Sequence, residues 1–139
     1  MPSMEAASSY TDLRRQEAVS AKRLYAVDGV CTSGSPVTDV AALTEVAIAA
    51  VRAGSGHVLD TSHVVFPNGA ITLVLILAES HLSIHTWPEE SLIAIDLFSC
   101  GAIDGRQVID ELTNGLRLAS VRSIQIERGM PGPSAVRRE

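Results

Sequence analysis

The chain is poor in aromatic residues: one Trp, two Tyr and two Phe in 139 residues, so Trp87 and Phe66 each need their own explanation. It has two cysteines, Cys31 and Cys100, too few for a disulfide framework. Lys22 is its one lysine. No apolar run approaches the roughly 20 residues that span a bilayer, which excludes a membrane helix. Met1 to Ala21 carries no apolar leader-like core, which predicts no secretory signal. A formal charge of −5 argues against nucleic acid, whose phosphates call for a basic face. The expectation is a cytoplasmic protein without nucleic-acid or membrane partners.

With 46% apolar and 19% charged residues, the chain is globular and long enough for one core. Residues 1–21 are polar and rich in Ala and Ser, and read as a mobile N-terminal arm. A single domain is expected over 22–128, followed by a flexible tail, 129–139, with Pro131 and Pro133. Arg23 to Val30 reads as a first strand. Thr38 or Asp39 can cap a helix over Val40 to Ala53, stopped by Gly54-Ser55-Gly56. His57 to Phe66 reads as a strand and Pro67-Asn68-Gly69 as a turn. Ile71 to Ala78, Ser80 to Trp87 and Leu92 to Ser99 read as further strands. Asp104 can cap a second helix, Gly105 to about Leu118, with Val108, Ile109, Leu112 and Leu116 on one face. Val121 to Glu127 reads as the last strand. The order β-α-β-β-β-β-α-β predicts an α+β fold: a two-layer α/β sandwich, its sheet mainly antiparallel, with both helices on one face. The other sheet face is left for a partner.

Chemistry concentrates in Glu79-Ser80-His81-Leu82-Ser83-Ile84-His85-Thr86-Trp87-Pro88-Glu89, with Cys100 ending the next strand. Taken singly, each residue has an ordinary explanation. Ser80 and His85 fit hydrogen-bonded strand positions, Cys100 a buried thiol, and Glu89 and Glu90 solvated turn charges. His81 and His85 are four residues apart, but on a strand such residues lie about 13 Å apart, and no CxxC accompanies Cys100, so no metal site is expected. The stretch resembles the self-cleavage motif of a pyruvoyl-dependent decarboxylase family, and an amino-acid decarboxylation, which that resemblance implies, needs an electron sink. The usual one, pyridoxal phosphate, is held through a lysine. Lys22 lies beside the arm and no phosphate-cradling glycine loop exists, which argues against it. The alternative is a sink made from the chain by attack of a serine on the preceding carbonyl. That step needs a proton acceptor and oxyanion donors. A bent strand or hairpin would return His85 to Ser80. Thr72 or Ser83 would supply a hydroxyl, and Cys100 would face the same pocket.

The stretch from Glu79 to Glu89 resembles the self-cleavage motif of the prokaryotic S-adenosylmethionine decarboxylase proenzymes, a pyruvoyl-dependent family. The resemblance runs from about Arg23 to Glu127. It implies autocatalytic cleavage between Glu79 and Ser80, giving a β chain 1–79 and an α chain 80–139. Ser80 becomes the covalent pyruvoyl cofactor that forms a Schiff base with substrate. The resemblance further implies His85 as the processing histidine and Cys100 as proton donor. Cys31, Gly54, His63 and Pro67 are weaker matches. It also implies homodimers paired sheet to sheet with the active site near the interface. Phe66, Thr72, Trp87, Glu89 and Glu90 are the expected substrate-binding residues, with Trp87 or Phe66 stacking on adenine and Glu89 accepting from the ribose hydroxyls.

The implied function is decarboxylation of S-adenosylmethionine for polyamine (spermidine) synthesis. The chain departs from the family at Arg23, where a histidine is usual, and at Glu90-Ser91-Leu92, where an aromatic-Gly-aromatic is frequent. Those departures motivate an alternative in which Glu90 pairs with the distal cation of ornithine or arginine. A further alternative, a non-catalytic homologue acting through a partner, is opposed by intact Ser80, His85 and Cys100.

Overall fold

The computed structural model of the chain describes residues 21–130 and 136–138. Its elements are β1 Lys22–Cys31, α1 Val40–Ala53, β2 Val58–Val65, β3 Ile71–Leu77, β4 Ser80–Trp87, β5 Leu92–Cys100, α2 Gly105–Gly115, β6 Leu118–Arg128 and β7 Val136–Arg138. Short 3-10 turns cover Pro36–Thr38 and Pro88–Glu90. Among the described residues the strands form one sheet in the order β2-β3-β4-β5-β1-β6-β7, antiparallel at every pairing. This is the expected α+β sandwich.

Local chemistry accounts for most boundaries. Asp39 caps α1, its Oδ1 accepting from the amides of Ala41 and Ala42 at 3.0 and 3.3 Å. Asp104 caps α2 by accepting from the Gln107 amide at 3.0 Å. The second helix was expected to reach about Leu118 but stops at Gly115. Arg117 takes φ +53° and turns the chain, so Leu118 already pairs with Cys31 as the first residue of β6. In the region expected to be a flexible tail, 136–138 form β7 on β6. Apart from Ala21, the expected N-terminal arm lies outside the described residues, as do 131–135 and Glu139.

One parity of the central strands makes the core. Leu73, Leu75, Leu82, Ile84, Ile93, Ile95 and Leu97 are buried against Leu43, Ala47 and Val51 of α1 and Val108 and Leu112 of α2. Each of these Leu, Ile and Val side chains contributes about 1.5–3 kcal/mol on burial. The helices meet where Gly54 lies against Asp104 and Val108. The opposite parity forms an open face. Leu24, Phe98, His81 and Ile76 stand in one row across β1, β5, β4 and β3, followed by Ala26, Asp96, Ser83 and Val74. All are half-buried or exposed. A sheet with one packed and one largely apolar open face has a surface suited to a partner.

Candidate active site

The β3–β4 hairpin positions the first half of the site. Leu77 pairs with Ser80, so Ala78 and Glu79 form a two-residue connection. Such tight turns favour residues that tolerate positive φ, usually Gly or Asn in the loop itself. Here Ser80 adopts φ +134°. For a non-glycine residue this costs on the order of 1–3 kcal/mol, and the surroundings must hold it in place.

Both ends of Glu79 are held. Its side chain is fully buried. The His57 amide donates to Oε1 at 2.9 Å, and His57 Nδ1 lies 2.7 Å from Oε2. On the main-chain side, the Cys100 amide donates to the Glu79 carbonyl oxygen at 3.1 Å. The Cys100 thiol reaches the same oxygen at 3.5 Å. Two donors therefore converge on the carbonyl that precedes Ser80. If the Ser80 hydroxyl attacks that carbon, negative charge develops on an oxygen already facing an amide and a thiol, which is how an oxyanion hole works. Cys100 is itself buried.

The second half of the site lies at the far end of β4. Thr72 Oγ1 is 3.3 Å from His85 Nδ1. The His85 and Trp87 rings are 6.3 Å apart and tilted by 39°. A cleft of about 490 Å³ is lined by Phe66, Thr72, His85, Trp87 and Glu89, among others. Phe66 and Trp87 are 47% and 37% exposed, so both present apolar rings to the opening. Asn68 Nδ2 donates to Glu89 Oε2 at 3.4 Å, fixing the carboxylate at the rim. Four of the five expected substrate residues thus share one cleft. Glu90 is exposed and does not line it.

The protomer does not join the two halves. β4 pairs in unbroken register with β3 and β5 from Ser80 onward, so the bend that would return His85 to Ser80 is absent. Five extended residues at about 3.3 Å each place His85 roughly 16 Å along the strand. The structure brings Cys100 to Glu79–Ser80 and gathers Thr72, His85, Phe66, Trp87 and Glu89 elsewhere. His57 and the Cys100 amide carry no sequence signal, because a lone histidine after a glycine and a backbone group look like any others. Burial pushes the Cys31 thiol up from its ordinary value. Among the described residues, no group of three or more His, Cys, Asp or Glu gathers to hold a metal, and no helix is long and apolar enough to cross a membrane.

Comparison with known proteins adds the family. A family model described as S-adenosylmethionine decarboxylase matches residues 23–129. An S-adenosylmethionine decarboxylase proenzyme of Thermotoga maritima is 40% identical over 82 residues, 58% of this chain and 62% of the relative. One of Pseudomonas aeruginosa is 35% identical over 97 residues, covering 68% and 59%. One of Methanococcus vannielii is 42% identical over 83 residues, covering 58% and 67%. The chain thus spans about three fifths of the length of the two bacterial relatives. The crystal structure of an adenosylmethionine decarboxylase from Aquifex aeolicus superposes with a TM-score of 0.72 at 24% identity, over 84% of this chain and 97% of that one, a likeness of fold. The matched region runs from β1 through β6 and includes both halves of the site, and the chain belongs to the S-adenosylmethionine decarboxylase family.

Proposed function

We propose that the chain is a proenzyme that cuts itself between Glu79 and Ser80 and then decarboxylates S-adenosylmethionine. The observation that carries this reading is the contact of the Cys100 amide and thiol with the Glu79 carbonyl oxygen, beside a Ser80 held at φ +134°. In the first step the Ser80 oxygen adds to the Glu79 carbonyl carbon and the Glu79–Ser80 C–N bond breaks. The nitrogen takes up the proton given up by the hydroxyl and becomes a free amine, and the amide becomes an ester. Loss of the Ser80 α-proton then expels the Glu79 carboxylate and leaves a dehydroalanine. Addition of water to its imine tautomer releases ammonia and leaves a keto group at position 80. That pyruvoyl group supplies the electron sink for the carbanion left when CO₂ departs. Glu79 and Cys100 fit its formation, because the carbonyl to be attacked is already oriented and hydrogen-bonded. Cys100 Sγ holds a proton beside position 80, where it can be delivered to the decarboxylated carbon.

The cleft with Phe66 and Trp87 at its mouth suits a flat heteroaromatic ring, and Glu89 at its rim suits hydroxyl donors. Glu90 lies outside it, which weighs against its pairing with the distal cation of a substrate such as ornithine or arginine. Since one protomer keeps Ser80 and the Thr72–His85 cleft at opposite ends of β4, the complete site calls for two copies. Antiparallel stacking of the open faces about a two-fold axis would set the Ser80 end of one against the His85 end of the other, twice per dimer.

Carboxyl-labelled S-adenosylmethionine, ornithine and arginine offered side by side test the reading. Labelled CO₂ is expected from S-adenosylmethionine with the parent chain and from none with Ser80→Ala. Release from ornithine or arginine instead, or from no substrate, overturns it.

A further inference from the structure

We infer that His57 is a positioning residue for the self-cleavage, gripping the buried Glu79 carboxylate so that the Glu79 carbonyl stays aimed between Cys100 and Ser80. This rests on the self-cleavage reading and names a residue which that reading did not include. His57 holds the turn at three points. Its carbonyl accepts from the Ala78 amide at 2.9 Å, its amide donates to Glu79 Oε1 at 2.9 Å, and its imidazole Nδ1 reaches Oε2 at 2.7 Å. The strand is shaped for this reach. The β2–β3 register shifts between Val58 and Asp60, a bulge that re-aims the start of β2 over the end of β3.

Glu79 is the one fully buried carboxylate among the described residues. A buried carboxylate oxygen without a hydrogen-bond partner is costly, so the side chain stays where His57 meets it. Side chain and carbonyl belong to one residue. Fixing the carboxylate from the β2 side while Cys100 fixes the carbonyl from the β5 side leaves the peptide little freedom to rotate. Attack by Ser80 depends on that orientation, and a misplacement of about 1 Å can slow a reaction about a hundredfold. Any residue at 57 other than proline retains the amide contact, so substitution removes the imidazole and its Nδ1 contact while keeping the backbone one.

The test follows cleavage by intact mass after refolding, in the full chain, for the parent, His57→Ala and His57→Gln. All are held well below the melting temperatures measured for each variant on a Ser80→Ala background, so that every chain is folded. His57→Ala is expected to slow cleavage by about tenfold or more. His57→Gln, whose amide can donate to Oε2, is expected to recover most of the rate. Added imidazole should also restore His57→Ala in part, because the His57 side chain is 44% exposed and its place is open to solvent. Cleavage of folded His57→Ala within twofold of the parent overturns the inference. So does a slow His57→Ala that neither imidazole nor His57→Gln recovers. A parent chain that never cleaves overturns the self-cleavage reading, and this inference with it.

Discussion

The Cys100 amide and thiol both point at the Glu79 carbonyl oxygen, at 3.1 and 3.5 Å. One residue therefore meets the reacting carbonyl through its backbone and again through its side chain, and substitution separates the two. Cys100→Ala keeps the amide donor and removes the thiol. Self-cleavage is expected to continue within about tenfold of the parent, since the loss of one weak donor costs less than the roughly 2.7–4 kcal/mol of a strong oxyanion donor. Turnover should fall further or yield an altered product, because the proton source at the product carbon is gone. Quantifying cleavage by intact mass and product by chromatography checks both. Parental turnover with an unchanged product would remove Cys100 from the reaction.

Division of the site between the two ends of β4 has a direct consequence for mixed protomers. Ser80→Ala and His85→Ala chains, each expected to be defective alone, should regain cleavage when co-expressed. In the proposed dimer, one of the two composite sites would then pair an intact Ser80 with an intact His85. Only the chain carrying Ser80 should then appear cut. No recovery of cleavage in a verified mixed dimer would place His85 within the protomer that it serves.

Trp87 lines the cleft and Glu90 does not, although both are exposed. Trp87→Ala is expected to raise KM for S-adenosylmethionine about tenfold, the magnitude of one lost aromatic contact. Glu90→Gln should change kcat/KM by less than twofold. A large loss in Glu90→Gln on any amine substrate would restore Glu90 to the binding site.

Gly54 is required by packing. A Cβ there would lie 2.6 Å from the Asp104 carbonyl oxygen and 2.5 Å from Val108 Cγ2. Gly54→Ala should destabilise the fold by about 1–3 kcal/mol, a fall in melting temperature on the order of 5–10 °C. An unchanged melting temperature would mean that the two helices are free to separate at this point.

Most of the fold was legible because period and caps agree. The α1 boundaries follow from Asp39 and Gly54, and the β3, β4 and β5 cores from alternating Leu and Ile. The end of α2 was not legible, because nothing in the composition of Arg117 announces φ +53°. The site was half legible. Ser80, His85 and Cys100 stand out as residue types, and the strand register carries Cys100 to the Glu79 carbonyl. The separation of His85 from Ser80 was hidden, since alternation along β4 does not tell a straight strand from a bent one. His57 was hidden too, because its role depends on a bulge in β2 and on the burial of a glutamate side chain.

The most direct test of the account is denaturing mass spectrometry of the purified parent chain after prolonged incubation. Two fragments are expected, 1–79 ending in a free carboxylate and 80–139 beginning with a pyruvoyl group and therefore refractory to N-terminal sequencing, with Ser80→Ala remaining whole. A parent chain that stays intact from Met1 to Glu139, or one cut elsewhere, would contradict it.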